Sequence, residues 1–99
     1  MSFLVTLCYD LEGAESSAYE RLHDDLCALG FRDSLTEDAK GSMELPSSTY
    51  LAIMEGSSAR ELKLLLTSRL DALFQKLDIR GRYLLSIGGG WSLKARRIR

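Results

Sequence analysis

Proline is nearly missing from this chain: Pro46 is the only one in 99 residues. Histidine also occurs once, as His23, and cysteine twice, as Cys8 and Cys27. Each scarcity excludes something. One histidine and two cysteines without close pairing spacing make neither a structural zinc site nor a disulfide framework. Cys8 falls in an expected strand and Cys27 in an expected helix, so both read as reduced, buried thiols of a cytoplasmic protein. The same residues do not assemble a serine–histidine–aspartate triad or a thiolate nucleophile. No apolar run approaches the ~20 residues that span a bilayer. No basic segment precedes an apolar stretch near Met1, so neither a signal peptide nor a membrane partner is expected.

What remains is the composition of a folded domain: 45% hydrophobic and 27% charged residues, within the range of globular chains. A chain of this length forms one domain, here 1–99, and buries roughly two-thirds of its unfolded surface without staples. The net charge of −1 hides an asymmetry. Residues 1–50 carry ten acids and three bases, or −7, and residues 51–99 carry four acids and ten bases, or +6. Lys94, Arg96, Arg97 and Arg99 fall at the very C-terminus. Such polarity marks a nucleic-acid or acidic-partner surface, drives opposite patches of two copies together, or makes a solvated tail.

Periodicity sets the elements. Phe3–Tyr9 is an apolar, β-branched strand that ends at Asp10. Ser17 and Glu20 have capping-box spacing and predict the start of a helix. Tyr19, Leu22, Leu26 and Leu29 form its apolar stripe, and Gly30 suits the left-handed residue that ends it. Phe31–Leu35 reads as a weaker second strand. Residues 36–47 read as a loop or long hairpin turn, and Thr49–Met54 as a third strand. Ser58 and Glu61 repeat the capping box ahead of a long helix with Leu62, Leu65, Leu66, Leu70, Leu73, Phe74 and Leu77 toward a core. Arg82–Ile87 is a fourth strand. After Gly88–Gly90, Trp91, Leu93 and Ala95 alternate with Ser92, Lys94 and Arg96, which predicts a short fifth strand.

The order predicts an α+β fold: a ferredoxin-like βαββαβ sandwich, with two helices on one face of a four-stranded antiparallel sheet. A second sheet face open to water should be polar. Instead Leu4 and Cys8, Leu51 and Ile53, and Leu84 fall on the side opposite the main apolar rows. The expectation is a homodimer packed sheet to sheet, with Trp91 and Leu93 at the interface; the alternative is that this last segment folds back on its own sheet.

Other candidates carry less. His23 lies beside the Leu22 stripe as a potential acid or base, but no partner is visible in sequence. Gly88-Gly89-Gly90 precedes neither a helix nor a Lys-Ser/Thr pair, so it is a joint rather than a phosphate loop. Trp91 reads as a packing anchor or a platform for a base. The strand order is shared with RNA-recognition modules, but TYLAIME lacks their basic, Phe-rich pattern.

The stretches LVTLCYDL, SSAYERLHDDLCALGF, STYLAIMEGSSARELKLLL and YLLSIGGGW together cover most of the chain. In this layout the chain resembles the small CRISPR-associated endonucleases, and is nearer to the GhoS-type antitoxin endoribonucleases. The resemblance implies a dimer in which the aspartate closing the first strand, here Asp10, is the catalytic and Mg²⁺-binding residue. Two such carboxylates would meet their own copies across the two-fold axis and share a cation. Lys94, Arg96, Arg97 and Arg99 would hold the nucleic-acid backbone. The expected function is RNA binding and Mg²⁺-assisted endoribonuclease or antitoxin activity; the alternative is a non-catalytic module binding a protein partner on the same scaffold.

Overall fold

A computed structural model of the chain describes residues 1–37, 41–94 and 98. Its centre is strand β1 (Ser2–Leu11), whose side chains alternate strictly. Phe3, Val5, Leu7 and Tyr9 are buried, while Leu4, Thr6 and Cys8 on the other face are half-buried. β1 is the middle strand of a three-stranded antiparallel sheet, between β4 (Thr49–Glu55) and β5 (Gly81–Gly88). Helices α1 (Ser16–Ala28) and α2 (Ala59–Lys76) close the other side of the core. They contribute Leu22 and Leu26, and Leu62, Leu66, Leu70 and Leu73, to the cluster that holds the odd residues of β1. Each fully buried side chain of this kind stabilises the fold by about 1.5–3 kcal/mol, so this one layer contact dominates. Leu65, expected in that stripe, is half exposed. Cys8 and Cys27 are free and half-buried rather than buried. Among the described residues no helix is long and apolar enough to cross a membrane.

The α+β arrangement and the antiparallel sheet agree with the sequence; the strand count does not. The main sheet has three strands where four were expected. Phe31 leaves the second strand for the core and is fully buried. Arg32 then makes a single antiparallel bridge to Leu51, with both backbone hydrogen bonds at 2.8 Å. The chain next departs into a separate hairpin of β2 (Ser34–Glu37) and β3 (Gly41–Glu44). The reason lies in composition. Arg32 and Asp33 are exposed and charged and have no apolar face to dock. Closing a local hairpin also costs less chain entropy than extending a distant pairing.

The expected fifth strand is likewise missing from Trp91–Lys94, while Ala95 lies outside the described residues. Gly90 adopts φ +60, which turns the chain out of line with β5. Leu93 returns beside Leu4, Leu51 and Ile53 around a cleft of about 320 Å³, so this segment folds back over its own sheet.

The two helix starts also differ. Helix α1 begins at Ser16 with Glu15 as its N-cap and no side-chain cap bond, so the Ser17–Glu20 box does not form. Ser58 does cap α2: its hydroxyl accepts the Glu61 backbone N–H at 3.1 Å. The Glu61 carboxylate takes the Ser57 hydroxyl instead of the cap's own amide. The expected outcome is that Ser58→Ala costs about 1 kcal/mol in urea unfolding, whereas Ser17→Ala costs a few tenths at most. Both helices end in paired 6→1 and 5→2 hydrogen bonds, around Gly30 (φ +104) and around Asp78 (φ +52).

Candidate functional site at the far end of the first strand

Asp10 does not close β1, which continues to Leu11. Its even register places it on the helix-free face, with Leu4, Thr6 and Cys8. Arg82 of β5 stands directly opposite in the antiparallel pairing. The Arg82 Nε donates to Asp10 Oδ2 at 3.4 Å, and both side chains are exposed, 85% and 74% respectively. Together with Ser47, Ser48 and Leu84 they line a cleft of about 340 Å³.

This geometry bears on Mg²⁺. Among the described residues no three His, Cys, Asp or Glu side chains come together as a metal-holding group. The ion-pair partner of Asp10 is a guanidinium, whose fixed charge repels a cation. The described residues of a single chain therefore do not fit Mg²⁺ at Asp10, where the Arg82 cation already sits beside the carboxylate.

A second cluster, barely visible in the sequence, lies on the helix side of the same strand end. His23 Nδ1 is 2.8 Å from the Tyr50 hydroxyl and 3.6 Å from Asp33 Oδ2. Its Nε2 lies 3.6 Å from Cys27 Sγ, one helical turn on. Tyr50 stacks on Tyr9 with ring centroids 5.9 Å apart, and Tyr19 approaches Tyr9 at 6.3 Å. A cleft of about 480 Å³ opens beside them, with Glu20, Asp24, Ser47 and Ser48 on its walls. The one legible signal was the shared i, i+4 face of His23 and Cys27; Tyr50 and Asp33 come from other elements.

Burial raises the Tyr50 phenol well above its ordinary value, and the neighbouring Tyr9 adds to the rise. Burial also raises Tyr9, partly offset by hydrogen bonds from Tyr50 and Ser48. Tyr83 is raised by burial and by its bond to the Asp71 carboxylate. Unfolded phenols release their protons near pH ~10, while the folded chain holds them longer. The stabilisation is therefore complete below that pH and is lost as pH climbs toward the folded values. The urea midpoint should be flat from pH 8 to 9.5 and fall steadily above pH ~10. Tyr50→Phe should lower the plateau, through the lost His23 bond, and flatten the alkaline decline.

The remaining expected site residues are scattered. Lys94 is exposed, and Arg96, Arg97 and Arg99 lie outside the described residues. Trp91 and Leu93 remain 36% and 41% exposed on the single chain. No protein-family model, curated protein or solved structure matches the chain.

Proposed function

We propose that the chain is an RNA-binding protein that works as a ferredoxin-like homodimer, of the kind it resembles among CRISPR-associated small endonucleases and GhoS-type antitoxin endoribonucleases. The Arg32–Leu51 bridge supports the ferredoxin-like reading: it adds the chain after α1 to the outer edge of β4, in split βαβ order.

The observation that carries the functional reading is the helix-free sheet face. On it Ile53 is 61% and Leu84 66% exposed, and Leu93 lies against one side only. Apolar side chains so placed belong under a partner, and a second copy supplies the same surface in return. Arg82 and Lys94 border this face or follow it, within the half of the chain that carries +6. That charge suits a phosphate backbone, whose bound counterions are released when cations replace them.

Metal-assisted cleavage would require the Asp10 carboxylates of two copies to meet, each released from its own Arg82. The proposal therefore rests on RNA binding. A non-catalytic protein-binding role draws on a different observation, the acids Glu20, Asp24 and Asp25 along α1, which suit a basic partner. A gel shift with single-stranded RNA separates the two readings. RNA binding predicts retention at low salt that falls linearly in log affinity with log salt; no retention at low salt would refute it and leave the protein-binding role.

A further inference from the structure

We propose that Arg82, oriented by Asp10, is a clamp for a backbone phosphate of the bound RNA, an inference that rests on the RNA-binding reading above. The resemblance implies a metal at Asp10, and the fold gives that carboxylate a different neighbour. Asp10 and Arg82 are paired residues of β1 and β5, so the sheet fixes both Cα positions. Among the described residues the one hydrogen bond of the guanidinium runs from Nε to Asp10 Oδ2. That bond holds one edge of the planar group. Its two terminal amino groups remain on a side chain that is 85% exposed, at the mouth of the 340 Å³ cleft.

A guanidinium held by one edge presents a two-pronged donor whose geometry matches two phosphate oxygens. Ser47 and Ser48 also line this cleft; the Ser48 side chain is bonded to Tyr9, which leaves the Ser47 hydroxyl as a further donor type there. Ser48 is held there in a left-handed conformation, φ +57, with its carbonyl accepting the Tyr9 amide at 3.3 Å. The Tyr83 hydroxyl is not available to the cleft, because it is spent on Asp71 at 2.8 Å. An ion pair this exposed adds little to folding, so stability alone does not account for a guanidinium fixed at the edge of a cleft. Arg82 thus makes the phosphate contact, and Asp10 is a positioning residue.

The test is fluorescence anisotropy with a labelled single-stranded oligoribonucleotide, in EDTA, over a series of KCl concentrations, on the full chain. Arg82→Gln should weaken binding at least tenfold at low salt. It should also reduce the magnitude of the log affinity against log salt slope by about 0.7, one single-strand phosphate contact. Arg82→Lys should restore the slope but only part of the affinity, because the charge returns without the fork. Arg60→Gln, an equal charge loss on exposed α2, should keep both. Asp10→Ala makes the chain more positive yet should weaken binding, and Asp10→Asn, which still accepts from Nε, should recover part of the loss. Unchanged urea midpoints for these exposed positions confirm folding. Wild-type affinity and slope in Arg82→Gln would overturn the clamp and leave RNA binding standing. Tighter binding by Asp10→Ala would overturn the positioning role. Binding lost in EDTA and restored by Mg²⁺ would put a metal at Asp10 instead. A wild-type chain that ignores RNA at low salt would refute the clamp and the RNA reading together.

Discussion

Gly81→Ala is expected to break the pairing of β1 with β5 at the end that carries Asp10. Gly81 opens β5 opposite Leu11, and a Cβ there would overlap the Asp10 carbonyl oxygen. It would also stand 3.0 Å from the Asp10 carbonyl carbon and from Leu11 Cα. All three are backbone atoms, so no side-chain rotation relieves the clash. Forced overpacking costs about 1–3 kcal/mol, and a clash with backbone belongs at the upper end. Relief comes by peeling the first residues of β5 from β1, which separates Arg82 from Asp10. The urea midpoint should therefore fall, and exchange of the Glu12 amide, now bonded to the Arg80 carbonyl at 2.8 Å, should accelerate. Gly88→Ala, at the other end of the same strand, is the control. Nothing lies within 4 Å of a Cβ there, and stability should be unchanged within about 0.5 kcal/mol. Equal stability of the two variants would mean that the register at Gly81 is wrong.

Leu84→Glu is expected to convert the proposed dimer to a monomer without unfolding it. Leu84 is 66% exposed on the single chain, so the substitution removes little from the protomer core. In a sheet-to-sheet dimer the two-fold axis doubles the effect: two leucines are lost and two carboxylates must be desolvated. Full burial of each leucine contributes about 1.5–3 kcal/mol, and an unpaired buried charge costs more than that. Affinity between copies should fall by at least three orders of magnitude, enough to give a monomer at micromolar concentration. Light scattering reads the mass directly, and far-UV circular dichroism should be unchanged. A Leu84→Glu chain that keeps the mass of its parent would place any interface elsewhere.

Much of this architecture was legible because it is local. The alternation from Phe3 to Tyr9 reports which face each residue takes, and the burial of β1 follows it residue by residue. Gly30 ends α1 because the Leu26 carbonyl and the Phe31 amide need a left-handed residue between them. Ser58 caps α2 through the Glu61 amide as the spacing implies, while the Glu61 carboxylate turns to Ser57 instead. The same spacing fails at Ser17, since the chain enters α1 two residues earlier, with Glu15 rather than Ser17 as the N-cap. The second strand departs from its local pattern for a non-local reason: its pairing with β4 competes with a hairpin closed over a few residues, and only Arg32 reaches Leu51.

The site was legible in part. Asp10 could be found as a carboxylate near a strand exit, but not its partner. Arg82 is 72 positions away, and only the β1–β5 register brings it opposite. His23 was visible as the sole histidine, yet Tyr50, 27 positions on, reaches it only because α1 packs over β4. Chemistry assembled across a sheet depends on strand order and register, which a periodic pattern constrains only loosely.

Size-exclusion chromatography with light scattering, on the wild-type chain mixed with a single-stranded oligoribonucleotide at low salt, tests the central claim most directly. The account predicts one peak containing RNA and about twice the 11.1 kDa chain mass of protein. A protein peak of a single chain mass, eluting apart from the RNA, would contradict it.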